Sequence, residues 1–293
     1  MVTRARISVP NDVAGYRGPV TTHALEVRVR QAAERVDMER LTRSLNALVA
    51  ALRELDRASA AGELPNIVWV PRDLTYDEPF FSVQLAARTG TAHPDPDSLL
   101  RPIDALLDGV QALAEAPELP AFYSGRTVGR LLTLAAPGRG LQSVSLAAVN
   151  GVVGRYYDLT PELLDNARRA VHPRDVAFGS VTGTLDLLNA KATKATSPVR
   201  VSVSDAQTRR SVSGTAGRGL IDQMRDAWGH RVALLGRVTR NDRGQAVRID
   251  ANSIERLPED SSGRPSTASL LGASPDWLGG RDVDDYIREA RRA

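Results

Sequence analysis

Arg231-Val-Ala-Leu-Leu-Gly-Arg-Val-Thr-Arg240, followed by Asn241-Asp242-Arg243-Gly244 and then Gln245-Ala-Val-Arg-Ile-Asp-Ala-Asn-Ser-Ile254, is the stretch that decides the fold. Val232, Leu234, Gly236 and Val238 alternate along its first half, and Val247, Ile249 and Ala251 along its second. Period-two patterning of this kind is that of a half-buried strand. The Asn-Asp-Arg-Gly tetrapeptide supplies turn formers between the two, so the stretch reads as a β-hairpin. Ile254 breaks the parity, which predicts a bulge near Asn252.

Working back from the hairpin, the period changes to about 3.6. Leu220, Ile221, Met224 and Trp228 fall on one helical face, which places Trp228 in the core, and Gly229 stands where a C-terminal cap belongs. Three further strands precede this helix. The nearest is a short one centred on Val212 between Arg210 and Gly214. Val199, Val201 and Val203 alternate in the next, and Val181, Gly183, Leu185 and Leu187 in the first. The order β-β-β-α-β-β over residues 179–257, together with the hairpin strings above, resembles OB-fold modules of the kind found in nucleic-acid-binding proteins. Gly183 and Gly236 suit tight barrel corners, where a side chain would obstruct strand curvature. The resemblance implies an oligonucleotide held across the face of the second and third strands and their adjoining loops.

The chain has 293 residues, 42% of them hydrophobic, enough for more than one core. We read an α+β domain over residues 1–178, an OB-like β-barrel over 179–257, and a linker with a short amphipathic helix over 258–293. Cysteine is absent, which excludes disulfides and thiolate ligands and is compatible with a reducing cytosol. Arg4, Arg6, Asn11 and Asp12 interrupt any signal-peptide pattern, and no apolar run is long enough to cross a bilayer. The expectation is a cytoplasmic protein with no membrane contact.

Charge is distributed unevenly. Residues 179–257 hold 13 Lys and Arg against 7 Asp and Glu, whereas both flanking regions are slightly acidic. All the excess cationic charge therefore lies on the predicted barrel. Such a surface can neutralise phosphates and release their counterions, or attract an acidic protein. Arg200, Arg209, Arg210, Arg237 and Arg248 are the residues expected to carry nucleic-acid binding, by phosphate contact more than by base readout. Against this, single-strand binders stack bases on aromatic side chains, and within residues 179–257 the aromatic present is Trp228.

In the first 178 residues, Met38, Leu41, Leu45, Leu48, Leu52 and Leu55 recur at spacings of three and four and predict a helix of about 20 residues. Strands are expected at Ala24–Val29, Ile67–Val70 and around Phe80–Leu85, with Tyr76-Asp77-Glu78-Pro79 as a turn. Ile103, Leu106, Leu107, Val110 and Leu113 predict a second helix with Pro102 near its first turn, and a third should cover Val128–Leu134. Leu141–Val149 and Val152–Tyr157 should pair across Asn150-Gly151. Thr160-Pro161-Glu162 opens a helix reaching about Ala170. The pattern lacks a regular β-α-β rhythm, so a mainly antiparallel sheet with helices on one face is expected.

A search of the residues for chemistry assigns no catalytic residue, metal site or cofactor. His23, His93, His172 and His230 do not stand at metal-ligand spacing. Asp73, Asp77 and Glu78 have the composition of an acid/base pair or a Mg²⁺ site but fall around a predicted turn. Gly138-Arg139-Gly140 and Gly217-Arg218-Gly219 lack the Lys-Ser/Thr of a P-loop. Ser143, Ser145, Ser211 and Ser213 sit on strands without a nucleophile elbow.

Residues 258–276 have a linker composition, and Val283, Tyr286 and Ile287 follow as a short apolar face with acidic residues before it and arginines after it. With Leu270, Leu271, Trp277 and Leu278, this segment supplies anchors for docking onto the body or onto a partner protein through residues 270–293. The sequence thus predicts a non-catalytic binding protein whose basic barrel takes nucleic acid or an acidic protein surface. The alternatives are an adaptor gripping a partner by its tail, similar in layout to antitoxins, and an enzyme of unspecified reaction.

Overall fold

The structure is a computed structural model that describes residues 5–8, 23–32, 37–60, 67–89, 96–136, 140–189, 198–205 and 209–258. Strands β1 (Ala5–Ser8), β2 (His23–Gln31), β3 (Ile67–Asp77), β4 (Phe80–Thr89), β5 (Leu141–Asn150), β6 (Val152–Val153) and β7 (Tyr157–Asp158) form the first sheet. Its order is β1-β3-β4-β2-β5-β6, with β7 also on β5, and every pairing is antiparallel. Helices α1 (Met38–Ser59), α2 (Pro96–Glu115), α3 (Gly125–Leu134) and α4 (Pro161–Val171) supply the cover. Leu25, Val27 and Val29 of β2 and Val144 and Leu146 of β5 share a buried cluster with Leu48, Leu52, Leu55, Ile103, Leu106 and Leu131.

Helices α1, α3 and α4 start where the sequence provides a cap. Asp37 accepts from the backbone N–H of Arg40 at 2.6 Å, and Thr160 from that of Leu163 at 3.3 Å with Pro161 following. Ser124 and Thr127 form a reciprocal capping box that starts α3 three residues before the expected Val128. Helix α2 begins at Pro96, placing Pro102 inside it and not near its first turn. At the start of α1 the apolar stripe is not all core, since Met38 is 73% exposed. Gly151, with φ +73°, turns β5 into β6 as the Asn-Gly pair predicts. The expected strand 152–157 is split in two by Gly154–Tyr156.

The second sheet consists of β8 (Asp175–Asn189), β9 (Val199–Asp205), β10 (Arg210–Ala216), β11 (Arg231–Arg240) and β12 (Ala246–Arg256). Their pairings run β10-β12-β11-β8-β9 and return to β10, a closed barrel. Only β10 with β12 is parallel. A 3₁₀ turn at Arg218–Leu220 and the six-residue helix α5 (Ile221–Asp226) join β10 to β11. Leu185, Val201, Val203, Val212, Met224, Val232, Leu234 and Ile249 fill the interior. Leu235 faces Ser253 while Gly236 faces Ala251, which leaves Asn252 as the extra residue of the predicted bulge. Gly236 and Gly214 are required by close approach. A Cβ on them would lie 2.1 Å from the Asp250 carbonyl oxygen and 1.7 Å from that of Ile249, respectively.

Trp228 and the start of the first barrel strand also depart from the sequence expectation. Trp228 is 40% exposed, because α5 ends at Asp226 and it is Met224 and the cap residue Ala227 that enter the core instead. The first barrel strand begins at Asp175, six residues before Val181, so it carries Phe178 with it.

The chain divides into two compact units, Met1–Arg256 and Leu257–Ala293, and all these strands and helices belong to the first. Within it, the α/β layer and the barrel are tied by directed hydrogen bonds. Asn241 is buried; its side-chain amide donates to the Ala170 carbonyl at 2.8 Å and its oxygen accepts from Arg243 and Gln245. Gln245 grips both the N–H and the carbonyl of Leu119, at 2.8 and 3.2 Å.

Candidate functional site

The β-ladder registers place the charged residues of the barrel in a row. Arg200 on β9 stands opposite Thr215 on β10, Thr215 opposite Asp250 on β12, Asp250 opposite Arg237 on β11, and Arg237 opposite Phe178 on β8. Arg248 lies two residues along β12 from Asp250, on the same outward face, opposite Thr239. With adjacent strands about 4.8 Å apart, the row spans roughly 19 Å. Val199, Val201, Val238 and Ile249, next to these residues in sequence, are buried in the interior, so alternation forces the arginines outward.

Phe178 ends the row at 71% exposure, with half-exposed Val176 on the same face. A phenylalanine that has no burial to gain at such a position is available for stacking. It escapes a reading of the sequence because its neighbours Ala177, exposed, and Gly179, part-buried, offer no large apolar side chain to mark an inward face. The usual sign of a strand, apolar inside and polar outside, is missing there.

Asp250 tempers the row. It accepts from Thr215 Oγ1 at 2.6 Å and from Arg248 Nη2 at 2.9 Å. Burial opposes its ionisation, but these hydrogen bonds and the charges of Arg248 and Arg237 outweigh it and hold its carboxyl below the usual range. Arg200 makes no ion pair among the described residues.

At its Arg200 end the row opens into a cleft of about 700 Å³ between α3 and the barrel, where Arg126 and Arg130 join Arg200 and Arg248. Glu54 of α1 holds the first two, accepting from Arg130 Nε at 2.8 Å and Thr127 Oγ1 at 3.1 Å, with Arg126 Nε at 3.2 Å. Burial pulls the Arg126 guanidinium below its ordinary pKa, Glu54 opposes that, and Arg130, Arg200 and Arg57 push the same way as burial. Glu54 on Arg126 and Arg130 and Asp250 on Arg248 thus leave four guanidinium groups in excess of two carboxylates, which is the electrostatic condition for attracting an anion.

Helices lie over part of the face formed by β9 and β10, where the resemblance to OB modules puts the ligand. Helix α1 packs on β9 and α3 on β10, and Ser202, Ser204 and Ser211 are buried. The loop between β11 and β12 is engaged by Ala170 and Leu119. What stays open is the Arg200 end and the row leading from it toward β8. Of the five arginines singled out from the sequence, Arg200, Arg237 and Arg248 come together. Arg209 and Arg210 stand apart, at the end of the β9–β10 hairpin beside Arg240.

The other candidates do not assemble. Asp73 is buried in β3 and accepts from the N–H of Leu74, while Asp77 ends that strand and Glu78 lies in the turn. No three His, Asp or Glu among the described residues stand together as a metal-holding group. His230 Nδ1 lies 3.0 Å from Arg256 Nη2. Gly217 precedes a 3₁₀ turn and a six-residue helix, not a helix of useful dipole. Ser145 donates to Asp158, and the Ser204 and Ser211 hydroxyls lie 3.2 Å apart. Asp186 is a part-buried acid on β8 whose carboxylate accepts from Ser204. Burial raises its pKa against hydrogen bonds from Ser204 and Ser202 and the charge of Arg57. Trp277, Leu278, Val283, Tyr286 and Ile287, the tail anchors, lie outside the described residues, as do His93, Gly138 and Arg139. No helix among the described residues is long and apolar enough to cross a membrane. Comparison with protein families, with curated proteins and with solved structures finds no match to this chain.

Proposed function

We propose that this chain is a non-catalytic nucleic-acid-binding protein. Its barrel is an OB-like module that holds a single strand along the outward row of Arg200, Arg237 and Arg248, with Phe178 as a stacking surface. The observation that carries this reading is that row: three guanidinium groups brought by ladder register onto one open face that ends in an exposed aromatic ring. Phosphate contacts from the arginines give affinity without sequence preference, and one stacked base adds roughly 1–3 kcal/mol. The strand circuit supports the module assignment, because the third strand closes beside the fifth, out of sequence, as in a Greek-key barrel. The row favours a nucleic acid over an acidic protein surface because cations and an exposed ring together suit phosphates and bases.

The test is retention of a fluorescent single-stranded oligonucleotide across a salt series. The parent chain should bind at low salt and weaken steeply as salt rises. Arg200→Ala, Arg237→Ala and Arg248→Ala combined should flatten that dependence, by a log–log slope of about 0.7 for each phosphate no longer neutralised. Phe178→Ala should weaken binding about tenfold with the slope unchanged. Binding by the triple variant equal to the parent, with both folded by circular dichroism, would overturn the proposal.

A further inference from the structure

The barrel has an opening that the row does not use. Strand β8 pairs with β11 along its first half but meets β9 only from Thr184 onward, so among the described residues the edge before Thr184 faces no strand on that side. A cavity of about 470 Å³ lies there, within the range of small-molecule sites. Its floor is barrel interior: Val203 and Val212 belong to the buried core cluster, Val181 and Ala246 pack partly buried against it, and all four line the cavity. Arg209, Arg210 and Arg240 line it too, against one carboxylate, Asp205. An apolar floor with cations around it selects a molecule with a flat or apolar body and an anionic group.

A second observation falls on the same spot. Phe122 and Arg209 are the two non-glycine residues with positive φ among the described residues, at 64° and 52°, and they meet, the Phe122 N–H donating to the Arg209 carbonyl at 2.6 Å. The Arg209 guanidinium lies 6.0 Å from the Phe122 ring centre. Left-handed backbone at bulky residues costs energy that the surroundings must offset, and it collects at binding sites. Here it holds the segment before Tyr123 against the hairpin end that bears the arginines. Ser180, also lining the cavity, lies two residues along β8 from Phe178, on the same outward face.

We propose that this opening binds one mononucleotide unit, its phosphate among Arg209, Arg210 and Arg240 and its base on Val181, Val212 and Ala246. The choice of a nucleotide over another amphipathic anion rests on the nucleic-acid reading above. The unit is either a free nucleoside monophosphate or the phosphorylated end of a strand lying over Phe178.

The test is NMR titration of the full chain with AMP, GMP, CMP, UMP and inorganic phosphate. At least one nucleotide should saturably shift the resonances of Val181, Val212 and Ala246, and bind at least about tenfold more tightly than phosphate. Arg209→Gly with Arg210→Ala should weaken nucleotide binding about tenfold or more, since glycine keeps the φ of position 209 while both guanidinium groups are removed. The Arg200/Arg237/Arg248 triple variant should bind mononucleotides like the parent, so this site and the row fail separately. An oligonucleotide with a 5′- or 3′-terminal phosphate that binds more tightly than its unphosphorylated form, with the difference abolished in the pocket variant, identifies a strand end. Saturable nucleotide binding without that difference identifies a free mononucleotide. Absence of shifts at the three floor residues, or undiminished binding by the pocket variant, overturns the proposal.

Discussion

Asp56 illustrates how single residues here trade solvation for position. It lies on the buried side of α1, and burial raises its pKa from 3.8 to about 6 despite Arg57, Arg101 and a hydrogen bond from the Ile67 backbone. The folded chain therefore holds the proton more tightly than the unfolded chain does. Stability falls as pH rises from about 4 to about 6, and above that window the ionised carboxylate costs up to about 3 kcal/mol. Asp56→Asn keeps an acceptor for Ile67 and removes the charge. Chemical denaturation of this variant should show higher stability than the parent at about pH 8 and a flatter profile between about pH 4 and 6; an unchanged pH slope would contradict the assignment. Gly236 makes the opposite case, where one methyl group is too much. Its missing Cβ would stand 2.1 Å from the Asp250 carbonyl, a backbone atom with no rotamer to yield. Gly236→Ala should cost on the order of 2 kcal/mol, measured as a drop in urea midpoint, by pushing β11 away from the bulge at Asn252.

At the scale of elements, charge and packing meet where α1 and α3 touch the barrel. Glu54 gathers Thr127, Arg126 and Arg130 and so lowers the positive charge of the cleft. Glu54→Gln leaves both arginines with an uncharged partner. The variant should bind an oligonucleotide more tightly at low salt with a steeper salt dependence, while losing about 1–3 kcal/mol of stability from the weakened network. Tighter binding without the steeper slope would point away from phosphate contact.

These elements also show what a sequence discloses. Period-two and period-3.6 patterns, with the cap at Thr160, place α1, α4 and the β11–β12 hairpin closely, because burial and local hydrogen bonding act within a few residues of each other. Even the bulge at Asn252 follows from the parity break at Ile254. Phe178 is hidden because Ala177 and Gly179 beside it carry no large apolar side chain, so no alternation marks this end of the strand. Trp228 reads as core because the helical pattern runs a turn further than the helix itself. The separation of Arg209 and Arg210 from the other arginines depends on the β9–β10 hairpin end and the segment at Phe122, more than 80 residues apart in sequence, and no local pattern encodes that meeting.

For the molecule as a whole, the question is whether two hydrophobic cores behave as one folding unit. The α/β layer and the barrel have separate buried clusters, yet the contacts between them are directed and satisfied. Asn241 reaches Ala170, Gln245 reaches both polar groups of Leu119, Phe122 donates to Arg209, and Arg174 meets Asp242 at 3.1 Å. Opening this seam while either half stays folded would leave the side chain of Asn241, now buried, and several backbone groups to find other partners. Each such group costs about 1–3 kcal/mol if it finds none. A cooperative transition follows, and two tryptophans report on it separately: Trp69, buried on β3 of the first sheet, and Trp228, exposed beside α5. With Trp277→Phe as background, chains retaining only Trp69 or only Trp228 should give coincident urea transitions. Asn241→Ala should lower both midpoints together. If the Trp228 signal instead unfolds at lower urea while Trp69 holds, the barrel is an independent module resting on the α/β layer. The cleft containing Arg126, Arg130, Arg200 and Arg248 would then open and close as the two halves part.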